Sequence, residues 1–295
     1  MRIGFAGLGA IGRPIAARLA TEHELVVWNR TAGKAEAFAA ERGGAVAPTP
    51  RHAAEGREVV FTCLPNSPEV EALLDGPDGL AAGLGTGSLL VDLTSGVPAV
   101  SRRIAERLRR QGVGFLDAPV SGGTSGAEAG TLTVMVGGEA EDVARARPVL
   151  ECFGRRIEHV GPVGAGDALK AVHNALIAVH LFALGEGLTT LARAGVTPRK
   201  ALDVINASNG RSFVSEQLVP ERVLTRRWPR TFRLALLDKD VAIARELVET
   251  LGLEAPMIAT ASELLHQARA ALGEEADHVE ALKLHERRAG VELRG

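Results

Sequence analysis

The chain has 295 residues, of which 46% are hydrophobic, and a formal net charge of −2 at pH 7. This composition describes a globular chain long enough for two domains, and it favours neither a nucleic-acid partner nor a membrane partner. The lack of tyrosine excludes mechanisms that use a tyrosine hydroxyl as acid, and the two cysteines lack metal-binding spacing, so no metal site is predicted. The first residues run directly into a strand pattern without an export signal, so we expect a cytoplasmic protein.

The amino-terminal residues predict a binding site for a dinucleotide. A short apolar strand at residues 2–6 precedes a glycine-rich loop, which is followed by a helix at about residues 13–21 and a second strand at residues 25–28. In this arrangement Gly7 makes the turn, Gly9 lets a pyrophosphate approach the helix N-terminus, and Gly12 lets the helix pack on the strand. The predicted cofactor-binding residues of the loop are Gly7, Leu8, Gly9, Ala10, Ile11 and Gly12.

The residues after the second strand indicate which cofactor is bound. An acidic side chain there would bind a ribose 2′-hydroxyl, but this chain has Asn29, Arg30 and Thr31. A guanidinium and a hydroxyl suit a 2′-phosphate, although Arg30 could also be an ordinary surface charge. We therefore expect these three residues to bind NADP in preference to NAD.

Strands continue to alternate with helices as far as residue 160, which predicts a doubly wound sheet. Leu64, Pro65 and Ser95 follow strand ends, where such sheets hold their ligands. The strand patterns lie at residues 59–64, 89–93, 115–118, 132–136 and 157–160, and the glycine-rich residues 75–87 are predicted to form a surface loop.

Ser121, Gly122 and Gly123 follow the strand that ends near residue 118. The serine offers a hydroxyl, and paired glycines can turn successive backbone N–H groups toward one anion. A segment of this kind is often a plain turn, but its place after a strand end favours a loop that binds a substrate.

Beyond residue 161 the pattern is helical. Glycines that allow close backbone approach precede one long helix, expected at about residues 167–194, which is apolar on every face and which we expect to be buried. Its uncharged part is too short for a membrane span. Lys170, His173 and Asn174 lie at i, i+3 and i+4 and project from one side, although a lysine near a helix start can also reach water.

The remaining residues predict an all-α domain, with helices at about residues 198–208, 213–224, 234–251, 258–272 and 276–288. Lys239 and Asp240 interrupt an apolar helix face. Because adjacent helical residues do not face each other, we expect each to have a separate partner. The sequence thus predicts an α/β Rossmann domain at residues 1–160 and an all-α substrate and oligomerisation domain at residues 161–295, joined by the long interdomain helix.

Four motifs, taken in order, resemble the β-hydroxyacid dehydrogenase family, which includes 3-hydroxyisobutyrate dehydrogenase, tartronate semialdehyde reductase and the glyoxylate/succinic semialdehyde reductases. The motifs are residues 7–14, residues 117–123, Gly164-x-Gly166-x-x-x-Lys170-x-x-x-Asn174, and Lys239-Asp240.

The resemblance implies roles for individual residues. Lys170 matches the catalytic acid/base of the family, and Ser95 and Lys239 match positions that contact the cofactor. Asn174 and the segment Ser121-Gly122-Gly123 match residues that hold the substrate, and His173 beside them is a further substrate-binding candidate. The resemblance also implies a homodimer or homotetramer built on the helical domain.

The sequence therefore predicts an NADP(H)-dependent oxidoreductase that acts on a small anionic substrate, a 3-hydroxy acid or its aldehyde-acid counterpart. His173 stands where the family more often has asparagine, and Lys-x-x-His-Asn also resembles 6-phosphogluconate dehydrogenase, which leaves the substrate open. Imine reductases have a similar architecture but generally lack a lysine at this position. A dinucleotide-sensing module without activity would keep the fold but would not need Lys170 and Asn174 on one face.

Overall fold

Nine strands form one sheet in the amino-terminal part of the computed structural model, which describes all residues 1–295. The strands are β1 (Arg2–Ala6), β2 (Glu24–Trp28), β3 (Ala45–Val46), β4 (Val59–Thr62), β5 (Leu89–Asp92), β6 (Gly114–Asp117), β7 (Val120–Ser121), β8 (Leu132–Gly137) and β9 (Gly154–Gly161). The helices among them are α1 (Gly12–Leu19), α2 (Ala32–Arg42), α3 (Pro50–Ala54), α4 (Ser67–Leu74), α5 (Leu80–Gly83), α6 (Pro98–Arg109), α7 (Gly123–Ala129) and α8 (Ala140–Leu150).

The order of the strands defines where a ligand can bind. Strands β3, β2, β1, β4, β5 and β6 are neighbours in that order, and all of these pairs are parallel. Beyond β6 the sheet continues with β8, which is antiparallel to β6 and β7 and parallel to β9. The chain reverses its direction of winding between β1 and β4, and doubly wound sheets hold dinucleotides at the carboxyl ends of strands at this point.

The rest of the chain is helical. The elements are α9 (Ala165–Arg193), α10 (Pro198–Asn206), a π-helix (Val214–Val223), α11 (Leu234–Thr250), α12 (Pro256–Leu272), a 3₁₀-helix (His278–Leu282) and α13 (Lys283–Ala289). The predicted fold class, a Rossmann domain followed by an all-α domain, is confirmed. The chain divides into two units, Met1–Lys170 and Ala171–Gly295, so the division lies inside α9, whereas the sequence placed the boundary before this helix.

Aromatic rings fill the core between the sheet and its helices. Phe5 on β1 and Phe61 on β4 stack with ring centroids 6.0 Å apart, and Phe153 packs edge-on against Phe61 at the same distance. All three side chains are fully buried. The strands β4 and β5 are buried along their whole length, which explains their continuous apolar sequence.

Two expectations about single elements are wrong. The predicted loop at residues 75–87 contains α5, whose Leu80 and Ala81 are buried, because these apolar side chains complete the core beside β4 and β5. The long helix α9 is not buried on every face, since Leu176 is 50% exposed. By length and composition this helix could cross a membrane, since an 18-residue stretch of it has a mean hydropathy of 1.6. Core helices of soluble proteins meet the same criteria.

Candidate active site

The glycine-rich loop between β1 and α1 leaves open space at one glycine. Gly7 has a φ of +107°, and a Cβ atom at Gly12 would lie 1.9 Å from the carbonyl oxygen of Gly7, so the fold itself requires both glycines. A Cβ atom at Gly9, in contrast, would meet no protein atom within 4 Å. Gly9 and the neighbouring Ala10 are exposed, and Ile11 immediately precedes α1. The loop thus leaves a gap before a helix N-terminus, as a pyrophosphate requires.

The residues after β2 are arranged around this loop. The Oδ1 atom of Asn29 accepts a hydrogen bond from the backbone N–H of Leu8 at 2.9 Å, and its Nδ2 donates to the carbonyl oxygen of Thr31 at 3.1 Å. Asn29 therefore fixes the loop against the end of β2. The side chain of Arg30 is 82% exposed and lies 3.4 Å from Glu69, so its charge is accessible to a ligand.

The ends of β4 and β5 are joined by hydrogen bonds. The backbone N–H of Leu64, just before Pro65, donates to the hydroxyl of Thr94 at 3.1 Å. Asp92 accepts hydrogen bonds from the hydroxyl of Thr62 and from the N–H of Thr94. Burial raises the pKa of Asp92 to about 6. These contacts fix the backbone that leads to Ser95, the residue that follows Thr94.

The loop, Arg30 and the Ser95 segment together fit a nicotinamide dinucleotide. The gap at Gly9 leaves room for a pyrophosphate, and the exposed guanidinium of Arg30 lies beside the end of β2. The chain has no group of three or more His, Cys, Asp or Glu side chains that could hold a metal ion.

The start of α9 is attached to the end of β6. The two carboxylate oxygens of Asp117 accept hydrogen bonds from the backbone N–H groups of Gly164 at 2.7 Å and Asp167 at 2.9 Å. A Cβ atom at Gly166 would lie 2.4 Å from the carbonyl oxygen of Met135 on β8, so a glycine is required there. The Gly-x-Gly motif before Lys170 therefore lets the helix begin directly against the strand ends.

A second carboxyl group, that of Asp167, joins this turn to the loop after β5. Its Oδ1 atom accepts a hydrogen bond from the N–H of Gly96 at 2.9 Å, and its Oδ2 atom lies 2.6 Å from the hydroxyl of Ser101 on α6. Burial and, after it, the nearby carboxyl of Asp117 raise the pKa of Asp167 to about 8.

The α9 residues singled out from the sequence are largely shielded from water. Lys170 is 9% exposed and lies one turn after Asp167, and Asn174 is 2% exposed. His173 is half-buried. The Nδ2 group of Asn174 donates a hydrogen bond to Oδ2 of Asp240 at 2.6 Å, in a buried environment.

One expectation at this site is only half right: Asp240 does have a separate partner in Asn174, but the two neighbouring residues also meet. The side chains of Lys239 and Asp240 do face each other, with Nζ of Lys239 2.7 Å from Oδ1 of Asp240. A lysine has a long, flexible stem, so its ammonium group can turn back to a buried neighbouring carboxylate. Asp240 thus holds Asn174 with one oxygen and Lys239 with the other.

The segment predicted to bind a substrate anion forms a tight turn. β7 ends at the half-buried Ser121, and the next two residues, Gly122 and Gly123, have φ angles of +135° and +66°. These are left-handed conformations that favour glycine. The turn leads directly into α7.

Sequence reasoning missed Asp92 and Asp167, and it included Asp240 only as part of a motif. A signal for the first two does exist, since Asp92 ends an otherwise apolar strand and Asp167 lies in the first turn of an apolar helix. A carboxylate in such surroundings needs partners. Their partners Gly96, Ser101 and Thr62 are distant in sequence and could not be identified from spacing.

The loop geometry predicts different effects for two substitutions. Gly9→Ala should leave the thermal unfolding midpoint unchanged, because the added methyl meets no protein atom, yet it should weaken NADPH binding at least about tenfold by filling the gap. Gly85→Ala, also in open space but outside the loop, is the control. Nicotinamide fluorescence titration and thermal unfolding provide the two measurements. Unchanged NADPH affinity in Gly9→Ala would show that the cofactor does not lie against this loop.

Comparison with known proteins shows that two family models together match most of the chain. Residues 2–161 match the family described as the NAD binding domain of 6-phosphogluconate dehydrogenase. Residues 164–285 match the family described as NAD-binding of NADP-dependent 3-hydroxyisobutyrate dehydrogenase. The two matches correspond to the sheet-containing part and to most of the helical part.

Individual relatives align over nearly the full length. The 2-(hydroxymethyl)glutarate dehydrogenase of Eubacterium barkeri is 34% identical over 296 residues, with coverage of 100% of this chain and 98% of that protein. The 2-hydroxy-3-oxopropionate reductase of Escherichia coli is 33% identical, with coverage of 96% and 98%. The solved structure of Mycobacterium tuberculosis 3-hydroxyisobutyrate dehydrogenase with L-serine is 31% identical, with a TM-score of 0.88 and coverage of 96% and 99%.

Imine reductases are more distant. The structure of the enzyme from Pseudomonas sp. is 17% identical with a TM-score of 0.61, a likeness that concerns the fold alone. The matches over the whole chain instead confirm the predicted family and the predicted enzyme class. This protein is an NAD(P)-dependent oxidoreductase that belongs to the β-hydroxyacid dehydrogenase family.

Proposed function

We propose that the protein transfers a hydride between NADP(H) and a small 3-hydroxy acid or its aldehyde-acid counterpart. The relatives are named for 2-(hydroxymethyl)glutarate, 2-hydroxy-3-oxopropionate and 3-hydroxyisobutyrate. Each of these compounds has an oxygen-bearing carbon two bonds away from a carboxyl carbon. The observation that carries the proposal is a lysine, Lys170, that is 9% exposed and lies on the same helix as Asn174.

Lys170 is the proposed acid/base. The nicotinamide cofactor, when bound, supplies or accepts the hydride. Lys170 gives a proton to the substrate oxygen during reduction and takes it back during oxidation. A lysine suits this task because an ammonium group can lose its proton in a protein, whereas a guanidinium keeps it.

Asn174 is proposed to orient the substrate oxygen. Its Nδ2 group donates to Asp240 at 2.6 Å, which fixes the direction of its amide oxygen and of its second N–H. An amide does not titrate, so it does not compete with Lys170 for the proton. His173, half-buried and one residue earlier, is a further substrate-binding candidate and the rival proton carrier.

The turn at Ser121, Gly122 and Gly123 is proposed to hold the substrate carboxylate. Consecutive glycines with positive φ can direct successive N–H groups toward one anion, and the serine hydroxyl adds a donor. On the cofactor side the proposed contacts are Leu64, Pro65, Ser95, Lys239 and the residues of the glycine-rich loop. Imine reduction is a weaker proposal, because it leaves the buried lysine without a role.

We also propose that a second copy of the chain covers the exposed part of α9, in a homodimer or homotetramer. Leu176 is 50% exposed, and the apolar Ile177 and Val179 are partly exposed. Within one chain, only 39% of the apolar 18-residue stretch of α9 is buried. Association of two such faces would remove this apolar surface from water.

We expect a preference for NADP that depends on Arg30. Charge-assisted hydrogen bonds contribute about 1.5–3 kcal/mol, so catalytic efficiency with NADPH should exceed that with NADH at least about tenfold. Arg30→Ala should abolish most of this preference. Arg103→Ala, which removes another exposed and ion-paired arginine, is the matched control and should not change it. Equal efficiency of the wild type with both cofactors would contradict the proposal.

Lys170→Met should lower kcat by about 10² to 10⁴, the usual contribution of a general acid/base, while NADPH affinity stays nearly unchanged. Lys170→Arg should not restore the activity, because the guanidinium keeps its proton. Steady-state kinetics and a separate NADPH titration make the distinction. If Lys170→Met keeps more than about a tenth of the activity while His173→Ala is inactive, the histidine transfers the proton.

A further inference from the structure

The side chain of Asp167 connects three elements of the amino-terminal unit. It lies in the first turn of α9, accepts the N–H of Gly96 at 2.9 Å, and contacts the hydroxyl of Ser101 on α6 at 2.6 Å. Asp167 itself is 1% exposed. Gly96 directly follows Ser95, and Lys170 is one helical turn after Asp167. A single buried carboxyl group therefore links the Ser95 segment to the turn that precedes Lys170.

The hydrogen bonds around Asp117 and Asp167 distinguish the two carboxyl groups. Asp117 accepts two N–H groups from the start of α9, which are donors that a helix leaves unpaired at its N-terminus and that favour a negative charge. The carboxyl groups of Asp117, at the end of β6, and of Asp167, on α9, meet at the same buried turn. Two negative charges there would repel each other, so one of the two groups favours the neutral form. Asp167 suits the neutral form, because its Oδ2 atom faces a hydroxyl, and a hydroxyl can accept a hydrogen bond as well as donate one.

We propose that Asp167 is a positioning residue that, as a neutral acid, holds the Ser95–Gly96 segment against the turn of α9 that leads to Lys170. In this arrangement Oδ1 accepts the N–H of Gly96, and the protonated Oδ2 donates to Ser101. The inference rests on the proposed function, in which Ser95 contacts the cofactor and Lys170 carries the proton.

The electrostatic surroundings agree with this assignment. Burial, and after it the charge of Asp117, raise the pKa of Asp167 from 3.8 to about 8, and Asp92 at the end of β5 acts in the same direction. The N–H of Gly96 opposes the shift, and so would a hydrogen bond donated by the hydroxyl of Ser101, because each favours the ionised form. The nearby basic groups are Lys170 further along α9 and Arg102, whose guanidinium lies beside Gly164.

The raised pKa of Asp167 makes the free energy of unfolding depend on pH. Between about pH 4 and pH 8 the folded chain binds a proton at Asp167 that the unfolded chain does not bind. The stability contributed by this carboxyl is complete below about pH 4 and is lost as the pH rises through about 8. Above that pH the ionised Asp167 faces the charge of Asp117, and the link to Gly96 and Ser101 should loosen.

The test compares Asp167→Asn and Asp167→Ala by NADPH titration from pH 7 to pH 9.5. Asparagine resembles the neutral acid, so at pH 7 it should bind NADPH within about twofold of the wild type, whereas alanine should weaken binding about tenfold. Above about pH 8 the wild type should bind progressively less well, and Asp167→Asn should show no such decline. The exposed Asp78→Asn is the control and should follow the wild type at every pH.

Three results would overturn the inference. The first is an NADPH affinity of Asp167→Asn at pH 7 that is reduced as much as that of Asp167→Ala. The second is an NADPH affinity that falls at alkaline pH in both the wild type and Asp167→Asn. The third is an NADPH affinity of Asp167→Ala that equals that of the wild type. If Asp167→Ala does not fold, the pH profile of Asp167→Asn decides.

A second readout separates this inference from the proposed function. The thermal midpoint of the wild type should fall relative to that of Asp167→Asn as the pH rises from about 5 to about 8, whether or not any substrate is turned over. A wild type that binds NADPH but reduces no aldehyde acid would refute the proposed function and leave these measurements valid. If the difference between the two thermal midpoints does not change with pH, only the proposal that Asp167 is a neutral acid is refuted.

Discussion

The carboxylate of Asp117 joins the start of α9 to the end of β6. Asp117 is the last residue of β6, and its carboxylate accepts hydrogen bonds from the N–H groups of Gly164 and Asp167. The long helix α9 therefore begins at the carboxyl edge of the sheet. Doubly wound sheets bind their ligands at that edge. Burial raises the pKa of Asp117, and the N–H groups at the positive end of the helix oppose this shift because they favour the charged form. The backbone that leads to Lys170 is thereby fixed to the strand ends.

Small residues make this arrangement possible, and neighbouring carboxyl groups complete it. Gly166 lets the helix approach the carbonyl oxygen of Met135, and Gly12 lets α1 approach Gly7 in the same way. Where a helix starts so close to the sheet, its polar groups lose contact with water and need partners from the protein. Asp117 supplies them for the N–H groups at the start of α9. Asp167, on the same turn, pairs with Gly96, and in the helical unit Asp240 pairs with the buried side chain of Asn174.

Local features of the fold, including the glycine-rich loop between β1 and α1, could be predicted from the sequence. The backbone requires Gly7 and Gly12, and Gly9 leaves the gap between them, and all three lie in a recognisable strand–loop–helix context. α5 escaped prediction because four residues are too few to show a helical period. The roles of Asp167 and Asp240 also escaped it, because each depends on a partner more than sixty residues away, at Gly96 and Asn174. Long-range pairing of this kind has no signature in one sequence.

We propose that the protein reduces small aldehyde acids with NADPH. This proposal is tested most directly by the decay of NADPH absorbance with 2-hydroxy-3-oxopropionate or succinic semialdehyde and, in parallel, with neutral aldehydes of the same size. A site that binds the carboxylate through its own hydrogen-bond donors leaves them unpaired with a neutral aldehyde. The account predicts a kcat/KM at least about a hundredfold higher for an aldehyde acid. Equal rates for the acids and their neutral counterparts would contradict it.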